Sequence, residues 1–340
     1  MSGKVAIITP SFNRAYIIEK TAESVFAQTY GNWEWIIVDD GSSDKSWELI
    51  QSFARRDSRV KAIQRSRYPK GACTCRNIAV ENTDADWLVF LDSDDLLHPQ
   101  CLMQRLEKSQ SSREMQVLYF PTLLFQNDTN DCHLWDDYEH PVNWLESVLT
   151  MAPPCQSTGT FWSRAIWNQC GGWNEDLGIW QDIELHARAH WKGVEFKAVP
   201  DAFPDVYLRI SADSISRVDF HSREKLESRL LVIQECWTMI QKKGATEAER
   251  KALASMTLSA LRNGASLSLF SEMKTLLKLP QVLLTKDESA LAFRILRNRR
   301  WKLDKIQQVQ LKTEERWSQC FPPSGRKLGK HRWTPNHHEI

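Results

Sequence analysis

Short apolar runs that end in polar or acidic residues, each followed by apolar positions at helical spacing, set the pattern of the first hundred residues. Val5-Ala6-Ile7-Ile8-Thr9, closed by Pro10, reads as a buried strand. After Ser11-Phe12-Asn13-Arg14, residues Ala15, Ile18, Ala22, Val25 and Phe26 predict a helix, with Asn13 as its candidate cap. Trp35 to Val38 predicts the second strand; it runs out into Asp39-Asp40-Gly41-Ser42-Ser43-Asp44, and Trp47, Ile50 and Phe53 resume the helical period. Val60 to Ile63 is the third strand, followed by a basic loop from Arg65 to Lys70 and a helix over Ala72 to Val80. Trp87 to Leu91 is the fourth, and it ends in Asp92-Ser93-Asp94-Asp95. Repeated units of this kind predict an α/β fold with a central, mostly parallel sheet and right-handed crossovers. Their polar ends gather at one sheet edge, where open α/β sheets bind ligands.

Farther along, Val117 to Phe120, Thr158 to Trp162, Val194 to Val199 and Tyr207 to Ile210 read as strands. Residues 126–140 are polar and irregular, a candidate acceptor loop carrying Trp135 and Tyr138. Ser163 to Gln169 reads as a short helix ended by Gly171-Gly172, and Trp180-Gln181-Asp182 opens another that reaches Trp191. After Asp219 the composition turns helical: Leu226, Leu230, Ile233, Trp237 and Ile240 share one face, and Gly244 interrupts the run. Ala248 to Leu261, Leu267 to Leu277 and Leu291 to Leu303 are further helical candidates. The division that results is an α/β domain over 1–220, a helical extension over 221–315 and a basic, flexible tail over 316–340.

The acidic end of the fourth strand admits two readings. Acidic residues after a strand often form a turn or cap the next helix. Three carboxylates this close also repel one another unless a cation compensates them, and hard oxygen ligands suit Mg²⁺ or Mn²⁺ with a diphosphate. Charge narrows the partners: Lys+Arg is 44 against Asp+Glu 43, so no global field points to nucleic acid. No stretch nears the roughly 18 uninterrupted apolar residues of a membrane span, and no export signal opens the chain, which implies a cytoplasmic setting. Arg294, Arg297, Arg299, Arg300, Lys302 and Lys305 form either a solvated helical face or a peripheral contact with an anionic membrane. The eight cysteines are scattered, and Cys73 and Cys75 lack zinc-site spacing; reduced packing residues are expected.

Ile7-Ile8-Thr9-Pro10-Ser11-Phe12-Asn13-Arg14, then Val38-Asp39-Asp40-Gly41-Ser42-Ser43-Asp44, Arg76-Asn77 and Asp92-Ser93-Asp94-Asp95, in this order and spacing, resemble the family 2 glycosyltransferases. These are inverting enzymes of the GT-A fold that use nucleotide-activated sugars, and the resemblance covers roughly residues 3 to 215. It implies that Pro10, Ser11, Phe12 and Arg14 line the nucleotide. Asp40 would accept from a uracil ring with Asp39 beside it, and Arg76 would reach the base or diphosphate. Asp92 and Ser93 would lie near ribose and donor sugar, Asp94 would hold Mn²⁺ or Mg²⁺, and Asp95 would support the metal or cap a helix. Gly178-Ile179-Trp180-Gln181-Asp182 matches the element that carries the catalytic base, which makes Asp182 that base and Arg188 the later arginine of the same helix. Gln181 stands where the family usually has Glu. Tyr207-Leu208-Arg209-Ile210-Ser211 matches a segment near the donor phosphates, with Arg209 steadying the diphosphate and Ser211 where His is common.

The expected function is therefore metal-assisted transfer from a nucleotide sugar, UDP-linked by preference, to a saccharide or glycolipid acceptor. A sugar-nucleotide-binding or scaffold protein is the alternative from another class. A sugar nucleotidyltransferase would bring a glycine-rich, lysine-containing loop after the first strand, and Pro10 to Arg14 contains none. A dinucleotide oxidoreductase would need GxGxxG there. The C-terminal helices also offer a homodimer surface.

Overall fold

The computed structural model describes residues 3–266 except 112–113, 127–128, 130–131, 136–142, 151, 200 and 211–221. Ser211, Tyr138, the helical candidates beyond residue 266, the basic cluster from Arg294 to Lys305 and the tail all lie outside the described residues. The four expected strand units are present as β1 (Val5–Ser11), β2 (Trp33–Asp39), β3 (Val60–Gln64) and β4 (Trp87–Phe90). Between them run α1 (Ile18–Phe26), α2 (Ser46–Arg56) and α3 (Ala72–Glu81). β1 pairs in parallel with β2 and β4, and β2 with β3.

The chain then adds β5 (Leu96–Leu97), α4 (Cys101–Ser109), β6 (Gln116–Tyr119), β7 (Thr122–Phe125), β8 (His133–Leu134) and α5 (Trp144–Leu149). A 3₁₀ turn (Ser157–Gly159), β9 (Thr160–Ser163), α6 (Arg164–Cys170), α7 (Gln181–Trp191), β10 (Glu195–Ala198) and β11 (Val206–Arg209) follow. α8 (Arg223–Lys243) and α9 (Glu247–Ser266) close the described chain. Seven strands form the main sheet in the order β10-β6-β9-β4-β1-β2-β3, with β9 antiparallel to both neighbours. A second sheet, β5-β11-β7-β8, sits beside the acidic end of β4.

Both faces of the main sheet are covered, which explains why its strands read as continuous apolar runs. Ala6, Ile8, Ile36, Val38 and Phe90 enter one apolar cluster with residues of α3, α5, α7, α8 and α9. Their neighbours Val5, Ile7, Trp35, Ile37 and Val89 enter the other, with α1, α2 and α4. Leu226, Val232, Ile233 and Ile240 of α8 belong to the first cluster, so this helix is part of the same packed body as the sheet. The described cysteines are buried and form no disulfide with one another. No helix among the described residues is long and apolar enough to cross a membrane.

Two local expectations are corrected. Pro10 does not close the first strand; β1 continues to Ser11, and Pro10 lies in register with Val38. Val5 N and Ser11 O bond toward β2, whereas Ile8 O accepts from Leu91 N on the β4 side. Residues alternate along a strand, so the nitrogen of Pro10 faces the side where pairing with β4 has already ended, and no ladder bond is lost. Asn13 does not cap α1, which begins at Ile18 without a side-chain cap. Asn13 is left-handed (φ 52°), and its Oδ1 instead accepts from Ser43 N at 2.8 Å, tying the loop after β1 to the loop after β2.

One buried ion pair holds the second sheet against the body. Arg105 of α4 donates to both carboxylate oxygens of Asp205 at 2.8 Å, and neither side chain is exposed. Arg105 also donates to Thr160 O, so α4, β9 and the start of β11 meet on one guanidinium. Asp205→Ala would leave that cation buried without its partner. It is expected to destabilise the protein by about 3–5 kcal/mol, read as a lower urea midpoint with unchanged m-value.

Candidate active site

The ends of β1, β2, β4 and β11 and the start of α7 enclose one open cleft of about 640 Å³. Pro10, Ser11, Phe12 and Arg14 enter it from the end of β1, Asp40 from β2 and Arg76 from α3. Asp92, Ser93, Asp94 and Asp95 follow β4, Arg209 comes from β11 and Asp182 from α7. Asp39 alone of the expected site residues stays outside the lining. Its carboxylate is fully buried and accepts from Gly41 N, Ser42 N and Ser42 Oγ, which shapes the turn that presents Asp40. Consecutive strand residues face opposite sides, so two adjacent aspartates cannot both turn into the cleft.

Asp40 Oδ1 accepts from Arg65 Nε at 2.5 Å and from Gly71 N at 3.3 Å. Gly71 has φ +148°, a conformation that side-chain-bearing residues rarely adopt, so glycine is needed to bring that amide to Asp40. Phe12 is exposed at the rim, with Lys70 Nζ 3.5 Å from its ring centre.

At the acidic end of β4 the carboxylates are unequally compensated. Asp92 Oδ1 accepts from Arg76 Nη2 at 2.5 Å. The ion pair of Asp94 with Arg14 is 4.0 Å long. Asp95 is buried; its Oδ1 accepts from Arg209 N at 3.0 Å, and Thr21 Oγ1 donates to the carbonyls of Ser93 and Asp95. Burial, and next to it Asp92, raises Asp94 above the ordinary carboxylate range. Burial, then Asp94 and Asp92, raises Asp95 well above it. Arg209 lies over the Phe125 ring and donates to Asp94 O and Gln126 O, so it braces the acidic turn through the backbone.

The other half of the cleft is built on α7. Gly178 N donates to Ser228 Oγ of α8, and Trp180 is left-handed at φ 61° with Arg229 of α8 5.6 Å from its ring. For a bulky residue that conformation costs about 1–3 kcal/mol and persists only where its surroundings enforce it. Asp182 is half-buried, and its Oδ1 accepts from Ile183 N. Burial raises its carboxyl above the ordinary value. Arg188 stays out of the cleft. It pairs with Glu184 at 2.5 Å and donates to Gly172 O and Cys170 O, which locks α7 onto the turn after α6. His186 is boxed by Trp144, Trp162 and Phe196, and burial lowers its pKa to about 3, so it stays neutral.

The cleft also contains residues that the sequence pattern did not mark. Trp173 packs against the Arg76 guanidinium at 4.8 Å, and Gln156 and Ser157 arrive on the 3₁₀ turn before β9. Trp135 lines the cleft and donates to Pro153 O. A metal can be tested against these donors. Among the described residues no group of three or more His, Cys, Asp or Glu side chains is set to hold an ion. The undercompensated carboxylate of Asp94 fits a different mode, in which Mg²⁺ or Mn²⁺ takes one or two carboxylates and completes its shell with phosphate oxygens and water.

Residues 6–132 match the model of glycosyl transferase family 2, a span that holds β1 to β4 with their acidic ends. Over that span the chain is similar to this family. Its fold is correspondingly GT-A-like, with a mostly parallel main sheet and C-terminal helices. A putative teichuronic acid biosynthesis glycosyltransferase, TuaG of Bacillus subtilis, is 38% identical over 103 residues, which cover 30% of this chain and 40% of TuaG. An Escherichia coli UDP-Glc:α-D-GlcNAc-diphosphoundecaprenol β-1,3-glucosyltransferase, WfgD, is 41% identical over 92 residues, covering 27% and 35% respectively. The chain thus spans 35% to 40% of the length of these curated relatives. The fold likeness reaches farther: the crystal structure of S. aureus TarS 1-349 in complex with UDP-GlcNAc superimposes with TM-score 0.66 at 16% identity, over 93% of this chain and 92% of TarS 1-349.

Asp94 and Asp95 bind protons more tightly when folded than unfolded. Stability of the metal-free protein is therefore expected to rise as pH falls through their raised values toward the ordinary 3.8. By the same reasoning Asp95→Asn, which keeps an oxygen for Arg209 N and removes a charge, is expected to raise the Tm of the metal-free protein at neutral pH by a few degrees, seen by calorimetry.

Proposed function

We propose that this chain is an inverting glycosyltransferase that moves a sugar from a nucleotide-sugar donor, UDP-linked by preference, to an acceptor hydroxyl on a glycan or glycolipid. The observation that carries the reading is one cleft holding two chemically distinct carboxylate groups, the acidic end of β4 and Asp182, with the Arg76 guanidinium interposed. The donor preference draws on WfgD, whose donor is UDP-Glc, and the lipid-linked acceptor on its diphosphoundecaprenol substrate.

In this reading Phe12, Asp40 and the end of β1 hold the nucleotide, while Arg14 and Arg209 stand at the diphosphate. Asp182 takes the proton of the acceptor hydroxyl as that oxygen bonds to the anomeric carbon, because an unassisted hydroxyl is a poor nucleophile. The bond from the anomeric carbon to the diphosphate oxygen breaks, and its electron pair leaves with the nucleotide. Attack opposite the leaving group inverts the anomeric centre, so an α-linked donor yields a β-linked product. Mn²⁺ or Mg²⁺ held by Asp94 supplies charge compensation for the leaving diphosphate when bound. The transfer chemistry is assigned to residues 1–220.

The test is transfer across a panel of nucleotide sugars with Mn²⁺ or Mg²⁺. Asp182→Asn is expected to lose about 10²–10⁴ in kcat while keeping nucleotide affinity. Asp94→Ala is expected to lose the metal dependence of nucleotide binding, followed by calorimetry. A protonated Asp182 cannot accept a proton, so kcat should fall as pH drops through its raised pKa, placing the acid limb above the ordinary carboxylate range. Tight nucleotide binding by the wild type without turnover would replace this reading with that of a sugar-nucleotide-binding protein. Full activity in Asp182→Asn would remove the base assignment.

A further inference from the structure

Gln181 is the first residue of α7 and sits next to Asp182, yet every polar atom of its side chain is committed elsewhere. Its Oε1 accepts from Arg76 Nη1 at 2.9 Å. Its Nε2 donates to Leu177 O at 3.0 Å and to Gly178 O at 3.3 Å. A guanidinium offers donors only and a carbonyl accepts only, so this is the one orientation of the amide that satisfies all three partners. Arg76 in turn reaches Asp92 through Nη2, and Trp173 packs against its guanidinium. The side chain of Arg76 is almost wholly buried, so it cannot swing away to solvent. An unbroken chain of contacts therefore runs from Asp92, through Arg76 and Gln181, to the turn that leads into Asp182.

We propose that Gln181 is a positioning residue that joins the donor half of the cleft to the base-bearing turn, and that it needs an uncharged amide to do so. The inference rests on the transferase reading for the roles of Asp92 and Asp182. Its chemistry is specific to an amide. A carboxylate would keep the bond from Arg76, but it has no hydrogen to offer the Leu177 and Gly178 carbonyls, and two acceptors would then face a third. It would also set a second negative charge beside Asp182. An apolar residue of similar length would break both ends of the link and leave an Arg76 donor without its acceptor. The consequence is that donor binding and orientation of the base are set together, through one side chain.

Two variants of the full chain separate these effects. Gln181→Leu removes both ends and is expected to weaken UDP binding in the presence of Mn²⁺ by about tenfold and to lower kcat as well. Gln181→Glu is isosteric and keeps the acceptor for Arg76. It is expected to hold UDP affinity within about threefold while kcat falls by about tenfold or more. A role limited to packing would not split affinity from kcat between the two variants. UDP affinity unchanged in Gln181→Leu would overturn the link to the donor half, and turnover in Gln181→Glu equal to or above wild type would overturn the need for an amide. Affinity is read by calorimetry without any acceptor. A wild type that binds UDP and does not turn over therefore sinks the transferase reading alone, while Gln181→Leu still decides the link.

Discussion

A single buried cation organises the functional end of this protein. The guanidinium of Arg76 sits between the acidic end of β4 and the first residue of α7, with the face of Trp173 against it. Removing a charge from water is costly unless good partners replace the solvent, and here the partners come from parts of the chain about a hundred residues apart. The desolvated cation is thus satisfied only when α3, β4 and α7 are all in place. The same need fixes the cleft: the elements that satisfy Arg76 are the ones that carry Asp92, Asp94 and Asp182 into it.

The acidic turn after β4 has the opposite character. Asp94 and Asp95 are crowded and weakly compensated, and the nearly solvent-free position of Asp95 disfavours its charged form. The surrounding structure holds them there through backbone contacts: Arg209 reaches the Asp94 carbonyl, its own amide meets Asp95, and Thr21 bonds the backbone on both sides of Asp94. Stability is spent at this turn to keep carboxylate oxygens facing the cleft. The buried pair of Arg105 and Asp205, at the start of β11, anchors the sheet that delivers Arg209.

Local chemistry made much of this readable from the chain. Asp92 to Asp95 and Asp40 stand at the ends of uninterrupted apolar runs, and a parallel sheet must bring such ends to one edge. Asp182 is singled out by the resemblance of residues 178–182 to a family element, since an aspartate in a first helical turn is by itself ordinary. What escaped depended on partners far away in sequence. Asn13 looks like a cap by its position before a helical period, but the loop after β2 competes for its side chain and wins. Asp39 and Asp40 look equivalent as letters, and the alternation of a strand makes one structural and one accessible. Gln156 and Trp173 lie on irregular backbone, where no period marks a facing direction. Gln181 read as a departure from a pattern, and only its three hydrogen bonds give the amide a task.

The left-handed backbone at Trp180 is held from behind by a helix that carries no acidic cluster of its own. Ser228 grips the Gly178 amide, Arg229 faces the Trp180 ring, and Glu235 accepts from Asn174 on the same approach to α7. The change of composition near residue 220 is therefore a seam in vocabulary and not in cohesion. A lineage that exchanged its C-terminal helices would inherit a differently braced turn in front of Asp182. Acceptor preference could then drift through residues that never meet an acceptor.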